Sequence, residues 1–253
     1  MCLVLFALDA HPDYALVLAA NRDEFYERPT APAAFWDDAP GVLAGRDLRA
    51  GGTWLGIDRR GRIAAVTNYR QGTREPPAPR SRGHLVSEYL TGDGDGRAHV
   101  ERVGREAGLY NGFNLICGDP RALHYFSNRE GHARALEPGV YGLSNHLLDS
   151  PWPKVTAGRS GLSALLSTTG RELESRLFEL LSDRRQHADE LLPRTGVSPE
   201  WERLLSAAFI ASPEYGTRSS TVVLLGRDGS AVFIERSFGP GGVPGDEARF
   251  EWP

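Results

Sequence analysis

The feature that most constrains the fold is a pair of uninterrupted apolar runs at the start of the chain. The first run spans Cys2–Leu8, a turn follows at residues 11–13, and the second run spans residues 14–20. Each run has the length of a strand, and the turn between them predicts an antiparallel hairpin. A strand that is apolar at consecutive positions buries both of its faces. The hairpin therefore needs a layer of protein on each side.

The rest of the chain groups strands and helices in blocks. Strand patterns recur at 41–45, 51–57, 62–67, 113–117, 122–126, 140–145, 220–225 and 231–234, and helical patterns at 81–108 and 154–209. Strands and helices do not alternate one by one, which disfavours a parallel sheet with crossover helices. The sequence predicts an α+β fold in which two antiparallel sheets stack between helices, a four-layer αββα sandwich. Because no fixed-period repeat divides the 253 residues, we expect one domain over residues 1–253.

Charge and cysteine content exclude several classes of function. The formal net charge of −4 leaves no positive field to attract phosphate backbones, so a nucleic acid partner is not expected. Two cysteines, Cys2 and Cys117, cannot form a multi-bridge framework, which indicates a reducing compartment. The first apolar run is too short to span a membrane and has no cationic segment before it. We therefore expect a cytoplasmic protein without an integral membrane segment.

Cys2 is the strongest candidate for a reactive residue. The aminopeptidase that trims an initiator methionine accepts only small second residues, so we expect Met1 to be removed and Cys2 to become the N-terminus. A thiol and an α-amine then belong to the same residue, and the amine, with an ordinary pKa of about 7.7, can act as the local base. The alternative is that Cys2 is only a small hydrophobe at the start of a buried strand.

Polar residues at other strand ends are candidates to surround Cys2. Asn21–Glu24 is a polar cluster expected at the end of the second strand, where Arg22 can lie beside the first residue of its neighbour. A cation there favours the thiolate, so we expect a reactive cysteine. Asn68 and Asn145 each end a predicted strand, and side-chain amides are suitable oxyanion donors. Arg218 precedes a late strand and is a second cation, although each position also suits a solvated strand end.

Motifs of other enzyme classes are absent. The seven histidines and two cysteines show no metal-ligand spacing, no Gly-x-Gly-x-x-Gly opens a helix, and no Gly-x-Ser-x-Gly occurs. A hydrolase of this composition is expected to use no metal or other cofactor. Lys154 is the only lysine among 29 basic residues, a bias that we attribute to genome composition rather than to function.

A set of ordered motifs resembles one family across nearly the whole chain. The motifs are Met1-Cys2, 21–29 (Asn-Arg-Asp-Glu-Phe-Tyr-Glu-Arg-Pro), 51–56, 67–69, 110–116, 141–145, 151–152 and 215–218. The set resembles the NRDE family, also called the transport and Golgi organisation protein 2 family. That family is similar in turn to N-terminal nucleophile hydrolases of the choloylglycine hydrolase and penicillin V acylase type, which have an αββα sandwich.

The resemblance implies a role for each residue of the candidate site. These roles are Cys2 as nucleophile after removal of Met1, Asn68 as oxyanion donor, Asn145 as a substrate and amine contact, Arg218 as an active-site cation, and Arg22 and Asp23 as the Arg and Asp that follow the second strand. Two functions remain open. One is a cysteine amidohydrolase acting on a small linear amide. The other is a non-catalytic carrier of haem or of an amphipathic ligand similar to a lipid or acyl-CoA, and haem would need a His, Cys or Met axial ligand.

Overall fold

The computed structural model describes residues 2–72 and 78–253, and these residues form thirteen strands and five α-helices. The strands are β1 Cys2–Leu8, β2 Tyr14–Phe25, β3 Thr30–Trp36, β4 Ala39–Asp47, β5 Leu55–Asp58, β6 Ile63–Asn68, β7 Phe113–Asp119, β8 Ala122–Ser127, β9 Ala133–Ala135, β10 Gly139–Leu143, β11 Tyr215–Gly226, β12 Ala231–Gly239 and β13 Val243–Trp252. The helices are α1 Gly83–Thr91, α2 Gly96–Arg105, α3 Pro153–Ala164, α4 Gly170–Leu181 and α5 Pro199–Leu204.

The strands pair into two antiparallel sheets. Sheet 1 has the order β10-β1-β2-β11-β12-β13, and sheet 2 has the order β3-β4-β5-β6-β7-β8-β9. Helices α3 and α4 pack on sheet 1, whereas α1 and α2 pack on sheet 2. The first and last predicted hairpins lie in sheet 1 and the central hairpin lies in sheet 2, so the predicted αββα arrangement is confirmed.

Alternation along β1 explains why its sequence is apolar at every position. Val4 and Phe6 belong to the core between the sheets, whereas Leu3 and Leu5 belong to the core between sheet 1 and its helices. Successive side chains of a strand point to opposite faces, and each such large side chain contributes roughly 1.5–3 kcal/mol when fully buried. By the same alternation, Cys2 lies on the face of sheet 1 that is turned toward sheet 2.

The second strand is longer than the sequence pattern predicts. β2 continues to Phe25, five residues past the predicted end at residue 20, so the Asn21–Glu24 cluster forms the end of the strand itself. The strand persists because β11 pairs with it as far as Tyr215, which lies opposite Phe25. The side chain of Asn21 is buried but satisfied, since its amide donates to the carbonyls of Leu181 at 2.9 Å and Ala208 at 2.8 Å.

Three strands had no recognisable pattern in the sequence. β3, β9 and β13 are edge strands, and their exposed positions interrupt the apolar alternation that identifies a strand. The predicted removal of Met1 concerns residue 1, which lies outside the described residues, as do residues 73–77. Among the described residues, no helix has both the length and the apolar character needed to cross a membrane.

Candidate active site

Cys2 lies at the wall of a cavity of about 440 Å³ at one end of the space between the sheets. Five of the six predicted site residues line this cavity: Cys2, Arg22, Asp23, Asn68 and Arg218. Residues from β1, β2, β6 and β11 therefore converge at one edge of the sandwich. A cavity of this volume is within the usual range for small-molecule sites.

The register of sheet 1 places three of these residues next to one another. Cys2 lies directly opposite Arg22, and Asp23 lies opposite Thr217. The pairing of β11 with β2 then skips one residue between Thr217 and Ser219, so Arg218 occupies a bulge. A bulge leaves the extra residue unpaired and re-aims its side chain, which here places Arg218 in the cavity wall.

Arg218 uses most of its hydrogen bonds to hold a neighbouring segment. Its guanidinium donates to the carbonyls of Phe25 and Arg28, both at 3.0 Å, and to the hydroxyl of Thr30 at 3.2 Å. Burial, and to a smaller extent the nearby charge of Arg22, lowers the pKa of Arg218 below its ordinary value. Arg218 thus fixes the chain that forms one side of the cavity while it contributes positive charge there.

Asn68 and Asn145 meet at the opposite side of Cys2. The side-chain amide of Asn145 donates to the carbonyl of Asn68 at 3.0 Å, and the Ser144 hydroxyl donates to the carbonyl of Cys2 at 3.0 Å. Asn145 is 1% exposed and is not among the residues lining the cavity. The segment that contains Asn145 therefore supports both Cys2 and Asn68, and a contact between Asn145 and substrate stays a prediction.

Burial dominates the electrostatics of the Cys2 thiol. Removal from water raises its pKa, Asp23 raises it further, and the positive charge of Arg22 only partly opposes this. The expectation that a neighbouring cation makes Cys2 a ready thiolate is therefore wrong, because desolvation of the charged form is the larger effect. A nucleophile at this position needs a base that takes its proton.

Asp23 and Lys154 are two buried groups whose charges act on each other. Asp23 is 1% exposed and Lys154 is 4% exposed. Burial raises the pKa of Asp23, and the positive charge of Lys154 opposes that shift, as does the Thr217 hydroxyl that donates to Asp23 Oδ1 at 2.8 Å. Lys154 stands out in the sequence as the single lysine of an arginine-rich chain, but its attribution to genome composition gave no reason to place it near Cys2.

Glu235 is a second residue that the sequence analysis missed. It lines the cavity from β12, is 5% exposed, and accepts a hydrogen bond from the backbone N–H of Ala33 at 2.7 Å. Burial raises the pKa of its carboxyl group. The hydrogen bond joins sheet 1 to β3 of sheet 2 at the cavity, so Glu235 stabilises the position of that wall.

The described residues offer few ligands for a metal or haem. Within residues 2–72 and 78–253, no group of three or more His, Cys, Asp or Glu residues is arranged to hold a metal ion. Among the described residues that line the cavity, Cys2 is the sole side chain of the His, Cys or Met types that ligate haem iron.

Solved structures similar to this chain have the fold of N-terminal nucleophile hydrolases. Penicillin V acylase from Agrobacterium tumefaciens superimposes with a TM-score of 0.54 at 12% identity, covering 94% of this chain and 84% of the acylase. A mutant of conjugated bile acid hydrolase from Clostridium perfringens gives a TM-score of 0.54 at 9% identity, covering 99% of this chain and 92% of the hydrolase. At these identities the similarity concerns the fold.

Proteins related by sequence share a much higher identity with this chain than these solved structures do. The chain is 42% identical to the transport and Golgi organization protein 2 homolog of Bos taurus, over 99% of this chain and 96% of the relative. It is 38% identical to the human homolog, over 94% of this chain and 93% of the relative, and 31% identical to the Drosophila melanogaster protein, over 100% and 95%. The model of the family described as transport and Golgi organisation 2 matches residues 1–240. The chain therefore belongs to the transport and Golgi organisation 2 family.

Proposed function

We propose that this protein is an N-terminal-cysteine amidohydrolase that acts on a small linear amide. The observation that carries the proposal is the position of Cys2, at the start of β1 and in the wall of a cavity that Arg22 and Asn68 also line. The αββα fold shared with penicillin V acylase and conjugated bile acid hydrolase supports it.

In the proposed reaction, Cys2 is first acylated, and water then removes the acyl group. The thiol gives up its proton to the α-amine that removal of Met1 exposes, and the sulfur forms a bond to the amide carbonyl carbon. The C–N bond then breaks, the amine leaves with the proton, and a thioester remains on Cys2. Water attacks the thioester, which releases the carboxylic acid and restores the thiol.

The proposed role of Asn68 is to stabilise the tetrahedral intermediate. Negative charge develops on the carbonyl oxygen as the sulfur attacks, and a side-chain amide that is already in place stabilises that charge. The hydrogen bond from Asn145 to the Asn68 carbonyl supports this position. The proposed role of Arg22 is to offset the cost of the thiolate, since Arg22 is one of the charges that lower the pKa of Cys2.

The walls of the cavity favour a polar substrate over a large apolar ligand. Arginines and carboxylates are interspersed around it, and several pair with each other, for example Arg28 with Asp47 and Arg22 with Glu24. A planar apolar macrocycle would have to cover these charges without providing partners for them. A small amide with polar ends would find hydrogen-bonding groups among the charged and amide side chains of the wall.

Selective alkylation tests the proposal without a known substrate. We expect iodoacetamide to modify Cys2 at least about tenfold faster than Cys117, because Cys2 lines the cavity and the charge of Arg22 partly opposes the rise in its thiol pKa. Cys117 is fully buried against α2, and burial raises the pKa of its thiol with no cation among the described residues to oppose the shift. Peptide mass spectrometry measures the order of modification. In parallel, N-acetyl, N-hexanoyl and N-decanoyl derivatives of glycine and p-nitroaniline are screened for hydrolysis.

Loss of hydrolysis is expected to follow the modified fraction of Cys2. Preferential modification of Cys117, or hydrolysis that continues after Cys2 is fully modified, would contradict the proposal. Binding of one of these compounds that is unchanged in Cys2→Ala, with no turnover by the unmodified protein, would instead favour a carrier.

A further inference from the structure

A second cleft lies next to the candidate active site, and the reaction described above does not use it. It has a volume of about 590 Å³ and is lined by residues 69–72, His146 and residues 194–196. Two of these residues directly follow the candidate site residues Asn68 and Asn145 along the chain. Among the described residues, none lines both this cleft and the cavity at Cys2, so the two are separate spaces.

The charged side chains that line the cleft are all basic. Arg70 and Arg194 line it, and its described lining residues include no Asp or Glu. Arg194 is exposed, and no described residue forms an ion pair with it. This lining differs from that of the cavity at Cys2, where arginines and carboxylates are interspersed. The cleft therefore favours a negatively charged ligand.

Arg70 is buried with hydrogen-bond donors that no described residue uses. It is 8% exposed, and its Nε and Nη1 atoms have no hydrogen-bond partner among the described residues. The guanidinium lies 4.4 Å from the centre of the Trp152 ring, and its Nη1 is 3.4 Å from Glu202 Oε2. Glu202 instead accepts hydrogen bonds through Oε1, from the N–H and the hydroxyl of Thr195 at 2.8 and 2.6 Å. A buried cation with so few partners is unfavourable, and an anion in the cleft would offset that cost.

A chain of three side chains leads from the interior to the cleft. The Ser150 hydroxyl donates to the carbonyl of Leu147 at 2.8 Å, so its oxygen accepts from His146 Nδ1 at 2.7 Å. The other ring nitrogen, Nε2, lies 2.8 Å from the Tyr69 hydroxyl. In the neutral ring, Nε2 has no proton and accepts the hydroxyl proton of Tyr69. When the ring is protonated, Nε2 donates to the Tyr69 oxygen, which frees the hydroxyl proton for a ligand in the cleft.

We infer that this cleft is a second ligand site, which binds the phosphoryl or carboxylate group of a small polar ligand between Arg70 and Arg194. Guanidinium groups suit both kinds of oxyanion, because their N–H donors match the spacing of the oxygen atoms. The cleft is larger than a single ion needs, so the oxyanion is one group of a larger molecule. The inference does not depend on the use of Cys2 as a nucleophile.

Proton uptake by His146 is expected to accompany binding. The titratable or charged groups that face the ring are Tyr69 and Arg70, which follow β6, and Arg194 lines the same cleft; the uncharged Trp152 ring lies 5.7 Å away. Burial, and to a smaller extent the charge of Arg70, lowers the pKa of His146 below its ordinary value. A bound anion offsets the charge of Arg70 and raises this pKa again, so the protonated ring is favoured in the complex. Affinity for an anion of constant charge therefore increases as pH falls from about 8 to about 6.

Isothermal titration calorimetry with sodium sulfate tests the inference, because the charge of sulfate is constant over this pH range. Ionic strength is held constant with sodium chloride, and buffers of different ionisation enthalpy report the protons taken up. We expect binding in the millimolar range that is weaker by about fivefold or more in Arg194→Gln. Arg105→Gln is the matched control, since it removes an exposed arginine of α2 outside the cleft, and it is expected to change nothing. A parallel titration with sodium acetate distinguishes the two ligand groups, because tighter binding of sulfate indicates a phosphoryl group and tighter binding of acetate a carboxylate.

The proton uptake has its own variants. We expect it to disappear in His146→Gln, and we expect Tyr69→Phe, which removes only the hydroxyl, to abolish the pH dependence of the affinity. Thermal denaturation checks that each variant is folded, and Tyr69→Phe keeps the test available if His146→Gln is not.

Four results would overturn the inference. They are the absence of binding of either anion, equal affinities of Arg194→Gln and Arg105→Gln, a pH dependence that persists in Tyr69→Phe, and loss of binding in Arg46→Gln. The last variant removes an arginine from the wall of the cavity at Cys2, so its effect would assign the anion to that cavity. None of these measurements needs turnover, so a failure of amide hydrolysis would be recognised separately.

Discussion

Replacement of Cys2 by alanine is expected to lower kcat/KM for amide hydrolysis by about 10⁴-fold or more. Loss of the nucleophile removes the covalent route, and comparable deletions in other hydrolases leave only binding and oxyanion stabilisation. The free energy of unfolding is expected to change by no more than about 1 kcal/mol, because one small residue replaces another at the end of β1. Steady-state kinetics on whichever amide of the screen is turned over, with thermal denaturation of both proteins, measures the two quantities.

Cys117→Ala is the control for this prediction. It removes a buried thiol of the same size from β7, outside the cavity, and is expected to leave kcat/KM within about twofold. If Cys2→Ala retained a tenth or more of the activity while remaining folded, Cys2 would not be the nucleophile. The amidohydrolase proposal would then fail, although the description of the fold would be unaffected.

Asn68→Ala is expected to give the second largest effect, a fall in kcat of about 10²- to 10³-fold with little change in KM. This is the usual consequence of removing one oxyanion donor, since the lost hydrogen bond is strongest in the transition state. Asn111→Ala removes another asparagine from the wall of the same cavity and provides the matched comparison. Equal effects of the two substitutions on kcat, or an Asn68 effect confined to KM, would show that Asn68 binds substrate rather than stabilises charge.

The sandwich was predictable because burial on two faces leaves a direct trace in the sequence. β1 and β2 are apolar at consecutive positions, and only a strand covered on both sides requires this. The edge strands β3 and β13 leave no such trace, since water covers part of each. The length of β2 also depended on a remote partner, because β11 extends the pairing through residues that look like a polar loop.

The candidate site was predictable to the extent that its residues lie at strand ends. Cys2, Arg22 and Asn68 could be placed at one edge of the sandwich from local patterns alone. The environment of Cys2 could not, because the sequence reveals a neighbouring cation but not the degree of burial, and burial decides the direction of the thiol pKa. Lys154 could not be assigned to the site for a related reason. Its position near Asp23 results from the packing of α3 on β1, which no short-range sequence pattern encodes.

Mass spectrometry of the N-terminal peptide during turnover tests the central claim most directly. The protein is quenched with acid while it hydrolyses an acylated substrate and is then digested. The mass of the peptide that contains Cys2 is measured, and the peptide is fragmented to locate any added group. We predict a peptide that begins at Cys2, lacks Met1, and carries the acyl group of the substrate on the thiol. A peptide that retains Met1 and carries no acyl group while substrate is being hydrolysed, or an acyl group found on another residue, would contradict the assignment of Cys2 as an N-terminal nucleophile.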